Sequence, residues 1–131
     1  MMSSISFGQI LIVGIGGFIG SSLRFVLHHW VQKVLLPGAF PYGTLTVNML
    51  GCLLIGLVIG LTDVRGLLDQ NWRLFLAVGV LGGFTTFSSF AFENFSLLSN
   101  ADVLRLGINI AVQITLGLLL AWLGYQGAKV L

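Results

Sequence analysis

Four long apolar stretches, separated by short polar segments, run along the chain. An α-helix needs about 20 predominantly apolar residues to cross a membrane. The pattern predicts such helices over about 7–30, 42–61, 74–98 and 103–125. The segments between them hold both prolines and three of the four acidic side chains, as expected of loops in water. The sequence therefore predicts an all-α membrane protein that forms a single transmembrane domain over residues 1–131.

The third stretch is interrupted near its middle by the nonapeptide GGFTTFSSF, residues 82–90. The apolar residues on either side, 74–81 and 91–98, would together make one continuous span. The glycines and hydroxyls between them predict a break in the helix at residues 82–86. Non-helical backbone at mid-membrane depth persists only where it is buried in protein or lines a wet cavity. We therefore expect the nonapeptide to be a functional site.

The composition supports this assignment and excludes a soluble protein. Of the 131 residues, 56% are hydrophobic and 8% are charged, against about 25% charged in a soluble domain. Four spans leave no room for a separate soluble domain. The N-terminal segment lacks the basic flank of a secretory signal, and we interpret it as the start of the first helix. The single cysteine, Cys52, excludes an internal disulfide.

The positive charges do not fix which way the chain crosses the membrane. With four spans, both termini and the loop at 63–71 lie on one side. That side carries Arg65, Arg73 and Lys129, and the other carries Lys33 and Arg105. Three against two sets no orientation under the positive-inside rule, so insertion in both orientations is permitted. The charges also form no basic cluster of the kind that binds nucleic acid.

Small and polar residues recur at every fourth position, which places them on one face of a helix. In the first helix this stripe contains Gly16, Gly20 and Arg24, and its GxxxG spacing favours close packing on another helix. A second GxxxG lies at Gly56 and Gly60. The second and fourth helices carry polar stripes, which are Thr44, Asn48 and Cys52, and then Arg105, Asn109, Gln113 and Gly117. Polar side chains inside a membrane need a partner or water.

The polar residues near the break share one property, which is that they are neutral hydrogen-bond donors. Amide N–H groups and hydroxyls are supplied by Asn48, Asn109, Gln113, Thr86, Ser88 and Ser89. Phe87 and Phe90 are three residues apart and so share a helix face, and a phenyl ring carries partial positive charge on its edge. Uncharged donors combined with ring edges suit a small anion.

Each of these residues also has a purely structural interpretation. The two phenylalanines can be ordinary packing, and Asn48 can make an interhelical hydrogen bond of about 0.6 to 2 kcal/mol. Arg24 and Glu93 can form a buried pair or extend to the headgroups. His28 and His29 point about 100° apart on a helix, and we interpret them as an interfacial pair.

The sequence shows no catalytic arrangement, and we expect no enzyme. It has no GxSxG elbow or Ser–Lys pair, and Glu93 with two histidines at the end of a helix is too little for a metal site built from side chains. A broken helix, however, frees backbone carbonyls, which coordinate Na⁺ in transporters with broken helices. The carbonyls of Gly82 and Thr85, three residues apart, are candidates for such a site.

Three motifs together resemble the Fluc (CrcB) family of fluoride channels. They are GIGGFIGSSLR at 14–24, GTLTVNMLGCLLIG at 43–56, and GGFTTFSSF at 82–90 followed by Glu93. The resemblance implies a fluoride-selective channel in the bacterial inner (plasma) membrane, which exports fluoride passively and lowers its toxicity. It also implies an antiparallel, dual-topology homodimer with a structural Na⁺ at the dimer centre.

The resemblance further implies roles for individual residues. It places pore-lining rings at Phe87 and Phe90, and the Na⁺ carbonyls at Gly82 and Thr85. With the polar stripes, the expected fluoride pathway comprises Phe87, Phe90, Asn48, Ser88, Ser89, Glu93, Asn109, Gln113 and Arg24. Two departures stand out. Ser89 lies where threonine is common, and the fourth helix offers the amides of Asn109 and Gln113 where hydroxyl or phenol side chains are usual, so those two assignments depend on helix spacing alone.

Two other functions also fit four short spans. A small proton-coupled multidrug exporter needs a carboxylate in its first helix, where this chain has Arg24, a charge that repels a cationic drug. A noncatalytic membrane assembly factor would have no use for a polar break. The sequence also lacks a nucleotide-binding loop, so passive conduction is the working hypothesis.

Overall fold

The first helix, α1, starts at a serine cap close to the N-terminus. The computed structural model describes residues 4–131, so residues 1–3 of the predicted helix start lie outside the described residues. The Ser6 hydroxyl accepts from the Gln9 amide at 3.2 Å, and the Gln9 side chain accepts from the Ser6 amide at 3.0 Å. This reciprocal pair satisfies two amides that a helix start otherwise leaves free. α1 then runs over Phe7–Leu35, with Val31–Leu35 wound as a π-helix.

Four further helices follow α1. They are α2 over Tyr42–Asp63, α3 over residues 70–84, α4 over Phe87–Ser99 and α5 over Val103–Val130. Most of α3 is π-helical. When α3 and α4 are taken as one interrupted span, residues 4–131 contain four apolar units long enough to cross a membrane. The predicted all-α class with four spans is confirmed.

The spans are longer than the apolar pattern predicts. α1 continues past Trp30 to Leu35, and α3 starts at Gln70 because the Asp69 side chain accepts from the Trp72 amide at 2.9 Å. α5 likewise continues to Val130. Hydropathy marks only the part of a helix that lies in hydrocarbon. The helical backbone continues beyond that part until a cap or a proline ends it.

α1 and α3 pack backbone against backbone through glycines. A Cβ on Gly16 would lie 2.6 Å from the Phe75 carbonyl oxygen and 3.0 Å from the Gly79 Cα. A Cβ on Gly20 would overlap the carbonyl oxygen of Val80. Both α1 glycines are buried, as their GxxxG spacing predicts.

α2 and α5 form a second pair of the same kind. Gly56 approaches Ala121 so closely that a Cβ would overlap the Ala121 carbonyl oxygen, and Gly124 approaches Leu53 in the same way from the other side. α4 packs against α5 and α2, next to this pair. The two glycine-packed pairs thus place the junction of α3 and α4 beside the polar face of α2.

Much of the bundle surface is apolar. Only 11% to 33% of the most hydrophobic stretch of each span is buried within the chain. Large side chains such as Phe18 and Leu118 are more than 70% exposed. Such faces suit lipid or a second protein surface rather than water.

Candidate functional site

The junction between α3 and α4 consists of two extended residues. Thr85 has φ −84° and ψ 160°, and Thr86 has φ −150° and ψ 117°. Gly82, by contrast, is helical with φ −61° and ψ −38°. Non-helical backbone is therefore confined to Thr85 and Thr86, a shorter stretch than the predicted 82–86, because the helical turn persists through Phe84.

Thr86 caps the helix that follows. Its hydroxyl oxygen accepts from the Ser89 amide at 3.1 Å, donates to the Ser89 hydroxyl at 3.1 Å, and lies 3.3 Å from the Ser88 hydroxyl. A threonine at this position satisfies one of the amides that a helix start leaves free. The three hydroxyls predicted to be ion ligands thus lie together at the N-terminal end of α4, where the helix dipole favours negative charge.

Asn48 of α2 holds the extended backbone in place. Its Oδ1 accepts from the Thr86 amide at 2.8 Å, and its Nδ2 donates to the Thr86 carbonyl oxygen at 3.1 Å. The second Nδ2 proton is donated to Gln113 Oε1 at 2.8 Å. An asparagine side chain has two N–H donors, so both are directed to groups of the protein.

The hydrogen bonds continue from Asn48 along a row of buried amides. Gln113 Nε2 donates to Asn109 Oδ1 at 3.1 Å, and Asn109 Nδ2 donates to Asn94 Oδ1 at 2.9 Å. Asn109 is fully buried, and Gln113 and Asn94 are 8% exposed. We call Asn48, Gln113, Asn109 and Asn94 the amide ladder. It begins at the break and joins α2, α5 and α4.

The two predicted ring ligands lie together at the start of α4. The Phe87 and Phe90 ring centroids are 5.7 Å apart, with an interplanar angle of 51°. The Phe87 side chain is 79% exposed on the single chain. Phe87 also lines a cavity of about 260 Å³ shared with Asn48 and Thr86. One ring is thus adjacent both to the neutral donors and to an uncovered surface of the chain.

A larger cavity of about 550 Å³, which we call the vestibule, opens beside the first turn of α4. Its polar lining comes from α1 and from the break, and comprises Ser21, Arg24, His28, His29, Gln32, Lys33, Thr86 and Ser89. None of the described residues that line it is acidic. A cleft with one sign of charge raises the local concentration of ions of the opposite sign. The vestibule therefore favours anions.

Arg24 and Glu93 do not pair with each other. Arg24 Nη1 donates to the Thr85 carbonyl oxygen at 3.3 Å. Glu93 Oε1 accepts from the Thr44 hydroxyl at 2.5 Å and lies 3.8 Å from His28 Nε2. The other carboxylate oxygen, Oε2, is buried and has no hydrogen-bond partner within residues 4–131. Glu93 also lines a second cavity, of about 530 Å³.

The carbonyls of Gly82 and Thr85 lack their usual helical partners. In a continuous helix the Thr86 amide would donate to Gly82, but here it donates to Asn48. The Ser89 amide would likewise donate to Thr85, but here it donates to the Thr86 hydroxyl. A carbonyl oxygen has two lone pairs, so the contact from Arg24 leaves Thr85 a further position. Oxygen donors of this kind suit a hard cation such as Na⁺.

The structure gathers most residues of the predicted pathway into two groups. Phe87, Phe90, Ser88 and Ser89 lie at the start of α4, while Asn48, Gln113 and Asn109 form the ladder. Arg24 lines the vestibule, and Glu93 lies apart from it behind His28.

Three residues near these groups are not among the predicted site residues. Thr44 lies on the predicted polar stripe of α2, and the stripe alone predicts no role for it. Asn94 follows Glu93 in an otherwise apolar segment and shows no pattern of its own. His28, at the end of an apolar helix, lies beside the carboxylate of Glu93.

Known proteins resemble this chain over nearly its whole length. The family model described as CrcB-like protein, Camphor Resistance (CrcB), matches residues 11–125. A Thermus thermophilus protein named "Fluoride-specific ion channel FluC" is 51% identical over 118 residues, which is 90% of this chain and 91% of the relative. A Clostridium perfringens protein of the same name is 43% identical over 122 residues, or 92% and 94% of the two chains. "Fluoride-specific ion channel FluC 3" of Methanosarcina barkeri is 40% identical over 115 residues, or 88% and 86%.

Proposed function

We propose that this chain, which belongs to the CrcB family, is a fluoride-selective ion channel that lets fluoride leave the cytoplasm passively and so lowers its toxicity. The observation that carries the proposal is the match, over about nine tenths of both chains, to relatives named fluoride-specific ion channels. Four membrane-spanning helices fit the activity of a multi-pass membrane protein. We assign it to the inner (plasma) membrane of a bacterial cell.

The geometry supports a pathway that begins in the vestibule. An anion is attracted by the basic side chains of that cavity and then meets the hydroxyls of Ser88 and Ser89 at the start of α4. Beyond the hydroxyls, the anion contacts the partially positive ring edges of Phe87 and Phe90. Small ions with a high charge density gain most from such neutral donors, and this distinguishes fluoride from the larger chloride.

The amide ladder serves this pathway by fixing Asn48 beside Phe87. Because both Nδ2 protons of Asn48 are donated to protein groups, a fluoride ion must displace the carbonyl oxygen of Gln113 or of Thr86 to receive one. Gln113 and Asn109 supply the remaining donors of the path. Arg24 sets its charge at the vestibule, and Glu93 lies further along the path, where it lines the second cavity.

We propose an antiparallel homodimer as the working unit, with chains inserted in both orientations. Two observations support it. Phe87 is 79% exposed and Gly82 is also exposed, so a site that must exclude water is open on one side of a single chain. The near balance of positive charges on the two sides sets no single orientation. A second copy facing the break would cover both residues.

A structural Na⁺ fits the same dimer centre. The carbonyls of Gly82 and Thr85 are outside the helical hydrogen-bond ladder, and a second copy would bring its own pair. When bound, Na⁺ would supply a positive charge that holds the two breaks together.

The proposal is tested by anion efflux from liposomes that contain purified protein, with the voltage clamped by a potassium ionophore. We expect rapid release of fluoride and retention of chloride. The variant Phe87→Ile should lose at least about tenfold of the fluoride flux, equivalent to about 1.4 kcal/mol of barrier. Its exposed ring makes few contacts in its own chain, so the fold should survive. Asn48→Asp should abolish flux, because a carboxylate replaces the donor amide.

The matched control is Phe95→Ile, which removes another exposed ring, 62% accessible, from the same helix. It should conduct like the parent protein. Absence of fluoride release from correctly folded protein would overturn the channel proposal. An equal loss of flux in the Phe87 and Phe95 variants would remove Phe87 from the pathway while leaving the channel itself standing.

A further inference from the structure

We propose that the side-chain amide of Asn94 binds fluoride and adds a position to its pathway one helical turn beyond Phe90. The inference rests on the proposed channel function and names a further ligand for it. Asn94 is the last member of the amide ladder, which it joins through its oxygen. Its nitrogen is therefore left at the end of the row.

The direction of the ladder is fixed by one backbone amide. The Thr86 N–H can only donate, so the Asn48 atom 2.8 Å from it is the oxygen, and the Asn48 nitrogen is turned to Gln113. Gln113 must then present its oxygen to Asn48 and its nitrogen to Asn109. By the same step Asn109 presents its nitrogen to the oxygen of Asn94. Reversing any one side chain would bring two oxygens or two N–H₂ groups face to face.

The ladder therefore ends in a donor that no described residue accepts. Asn94 Oδ1 accepts from Asn109 at 2.9 Å, while Asn94 Nδ2 makes no hydrogen bond within residues 4–131. The residue is 8% exposed. In the same range only Glu93 Oε2 is a side-chain N or O atom that is both fully buried and unbonded, so Asn94 Nδ2 borders accessible space. An amide that is nine-tenths buried and lacks an acceptor is costly, and an acceptor that enters from outside removes that cost.

The occupant that suits this donor is an anion. Nδ2 carries only protons, so it binds an acceptor and not a cation. Each amide of the ladder both accepts and donates, and the members of such a chain polarise one another, which strengthens the last N–H groups. A hydrogen bond to an ionised acceptor is stronger than one to a neutral acceptor. The donor therefore gains more from fluoride than from water.

The neighbouring carboxylate does not occupy this donor. Adjacent helical residues point about 100° apart, so Glu93 and Asn94 face different sides of α4. Glu93 Oε1 accepts from the Thr44 hydroxyl, and Glu93 Oε2 has no hydrogen-bond partner in the part of the chain that the structure describes. The N–H groups of Asn94 are thus not taken by Glu93.

Asn94 also lies on the face of α4 that carries the two rings. Phe87, Phe90 and Asn94 are spaced three and four residues apart, which places them on one side of a helix. At about 1.5 Å per residue, Asn94 lies roughly 10 Å beyond Phe87 along the helix axis. The ladder begins at Thr86, beside Phe87, and ends at Asn94. The rings and the amides thus form two rows along one path, and the donor at their common end receives the ion as it leaves Phe90.

The first experiment compares the same exchange at two asparagines. Asn94→Asp replaces the donating nitrogen by an oxygen but keeps an acceptor for Asn109, so the rest of the ladder persists. Fluoride efflux from proteoliposomes should fall by roughly tenfold or more, since a hydrogen bond to an ion is lost and a repelling oxygen takes its place. The matched control is Asn71→Asp, at the exposed start of α3. It should conduct like the parent protein.

A second readout detects the ion at the amide itself. The chain has five asparagines, so labelling with ¹⁵N-asparagine gives five side-chain amide signals for the protein in lipid nanodiscs. The signal that disappears in Asn94→Asp belongs to Asn94. It should shift as NaF replaces NaCl at constant Na⁺, while the signal of Asn71 should stay in place. A water molecule alone on Nδ2 would leave the Asn94 signal unchanged.

Two results would overturn the inference and leave the channel itself standing. One is a flux in Asn94→Asp equal to that of Asn71→Asp, and the other is an Asn94 signal that does not respond to fluoride in a parent protein that conducts. Should Asn94→Asp fail to fold, the amide spectrum of the parent decides, with Asn94 assigned through its backbone signals. Parent protein that releases no fluoride would instead refute the channel proposal.

Discussion

At the crossing of α1 with α3, Gly16 and Gly20 let two backbones touch, whereas beside the break the helices are joined by hydrogen-bonded amides. The crossing is made by the absence of side chains, and an added Cβ meets a backbone carbonyl. The ladder is made by side chains, and each amide depends on the next, from Asn48 through Gln113 to Asn109. Both regions are buried, but substitutions disrupt them in different ways. At the crossing an added side chain overlaps the backbone, and in the ladder a lost amide leaves its neighbours without hydrogen-bond partners.

The two kinds of contact have different roles. The glycine crossings hold the helices together, whereas the amide ladder orients the polar groups beside the break. A contact between two backbones presents no side-chain donor or acceptor, so it fixes only the distance between the helices. A hydrogen-bonded amide fixes an orientation as well, and it places donors beside Phe87. Changes at the crossings should therefore destroy the fold, while changes in the ladder should leave a folded protein with altered donors.

The largest loss of stability is expected for Gly20→Val. Its Cβ would overlap the Val80 carbonyl oxygen, and a backbone atom cannot move aside as a side chain can. Overpacking typically costs about 1–3 kcal/mol and sometimes more. We expect a value at or above the top of that range, against a total stability of about 5–15 kcal/mol. Size-exclusion chromatography and thermal unfolding in detergent would show little monodisperse protein.

Gly107→Ala is the control for that prediction. A Cβ on Gly107 meets nothing within 4 Å, and replacing a glycine inside a helix by alanine should stabilise by about 0.5–1 kcal/mol. Equal losses of folded protein in the two variants would show that steric overlap at the crossing is not what holds α1 on α3.

Gln113→Leu should have an intermediate effect. Leucine leaves one Asn48 proton and the Asn109 oxygen without partners. We expect a loss of about 1–3 kcal/mol in the free energy of unfolding, since hydrogen bonds between membrane helices are individually worth about 0.6–2 kcal/mol. Fluoride flux should fall as well, because Asn48 loses one of the contacts that orient it.

Thr115→Val on the same helix is the comparison for Gln113→Leu. The Thr115 hydroxyl donates only to the Ala111 carbonyl of its own helix, at 2.6 Å, and the residue is exposed. Its removal should change stability by less than about 0.5 kcal/mol. Equal destabilisation by both variants would mean that the ladder adds nothing beyond an ordinary polar contact.

The crossings could be anticipated from sequence more completely than the ladder. Hydropathy and GxxxG spacing are local patterns, so the four spans and the packing faces of Gly16 and Gly20 follow from them. Asn48, Asn109 and Gln113 were also found as stripes. Which amide meets which depends on how three helices come together, and no local pattern encodes that. Asn94, the last member, has no stripe at all.

His28 has a contact that could not be anticipated, for the same physical reason. Its neighbours in sequence place it at the end of an apolar helix, which is typical of an interfacial histidine. Glu93 is distant in the chain and comes near His28 only once α1, α2 and α4 have packed together. The π-helical winding of α3 likewise leaves no trace in the apolar pattern. The homodimer and its Na⁺ stay predictions, because both concern contacts beyond one chain.

The smallest effect is expected outside the membrane, at the start of α5. Asp102 caps this helix, accepting from the Arg105 amide at 3.2 Å and from its guanidinium at 2.6 Å. Hydrogen bonds from the Arg105 side chain, and then from its backbone, lower the pKa of Asp102. This contact tests whether an interaction at the surface contributes measurably to the stability of the fold.

A carboxyl whose pKa is lower in the folded state stabilises the fold above its unfolded pKa of about 3.9, and this contribution is lost as pH falls through the folded value. Asp102→Asn keeps a capping oxygen but cannot titrate. The melting temperature of the parent should therefore fall more steeply than that of the variant on acidification below about pH 4. The difference should be smaller than either buried effect, because Asp102 is partly exposed and exposed pairs are worth little. Identical acid profiles for the two proteins would mean that the cap works through its geometry and not its charge, which would make it resemble the glycine crossings more than the ladder.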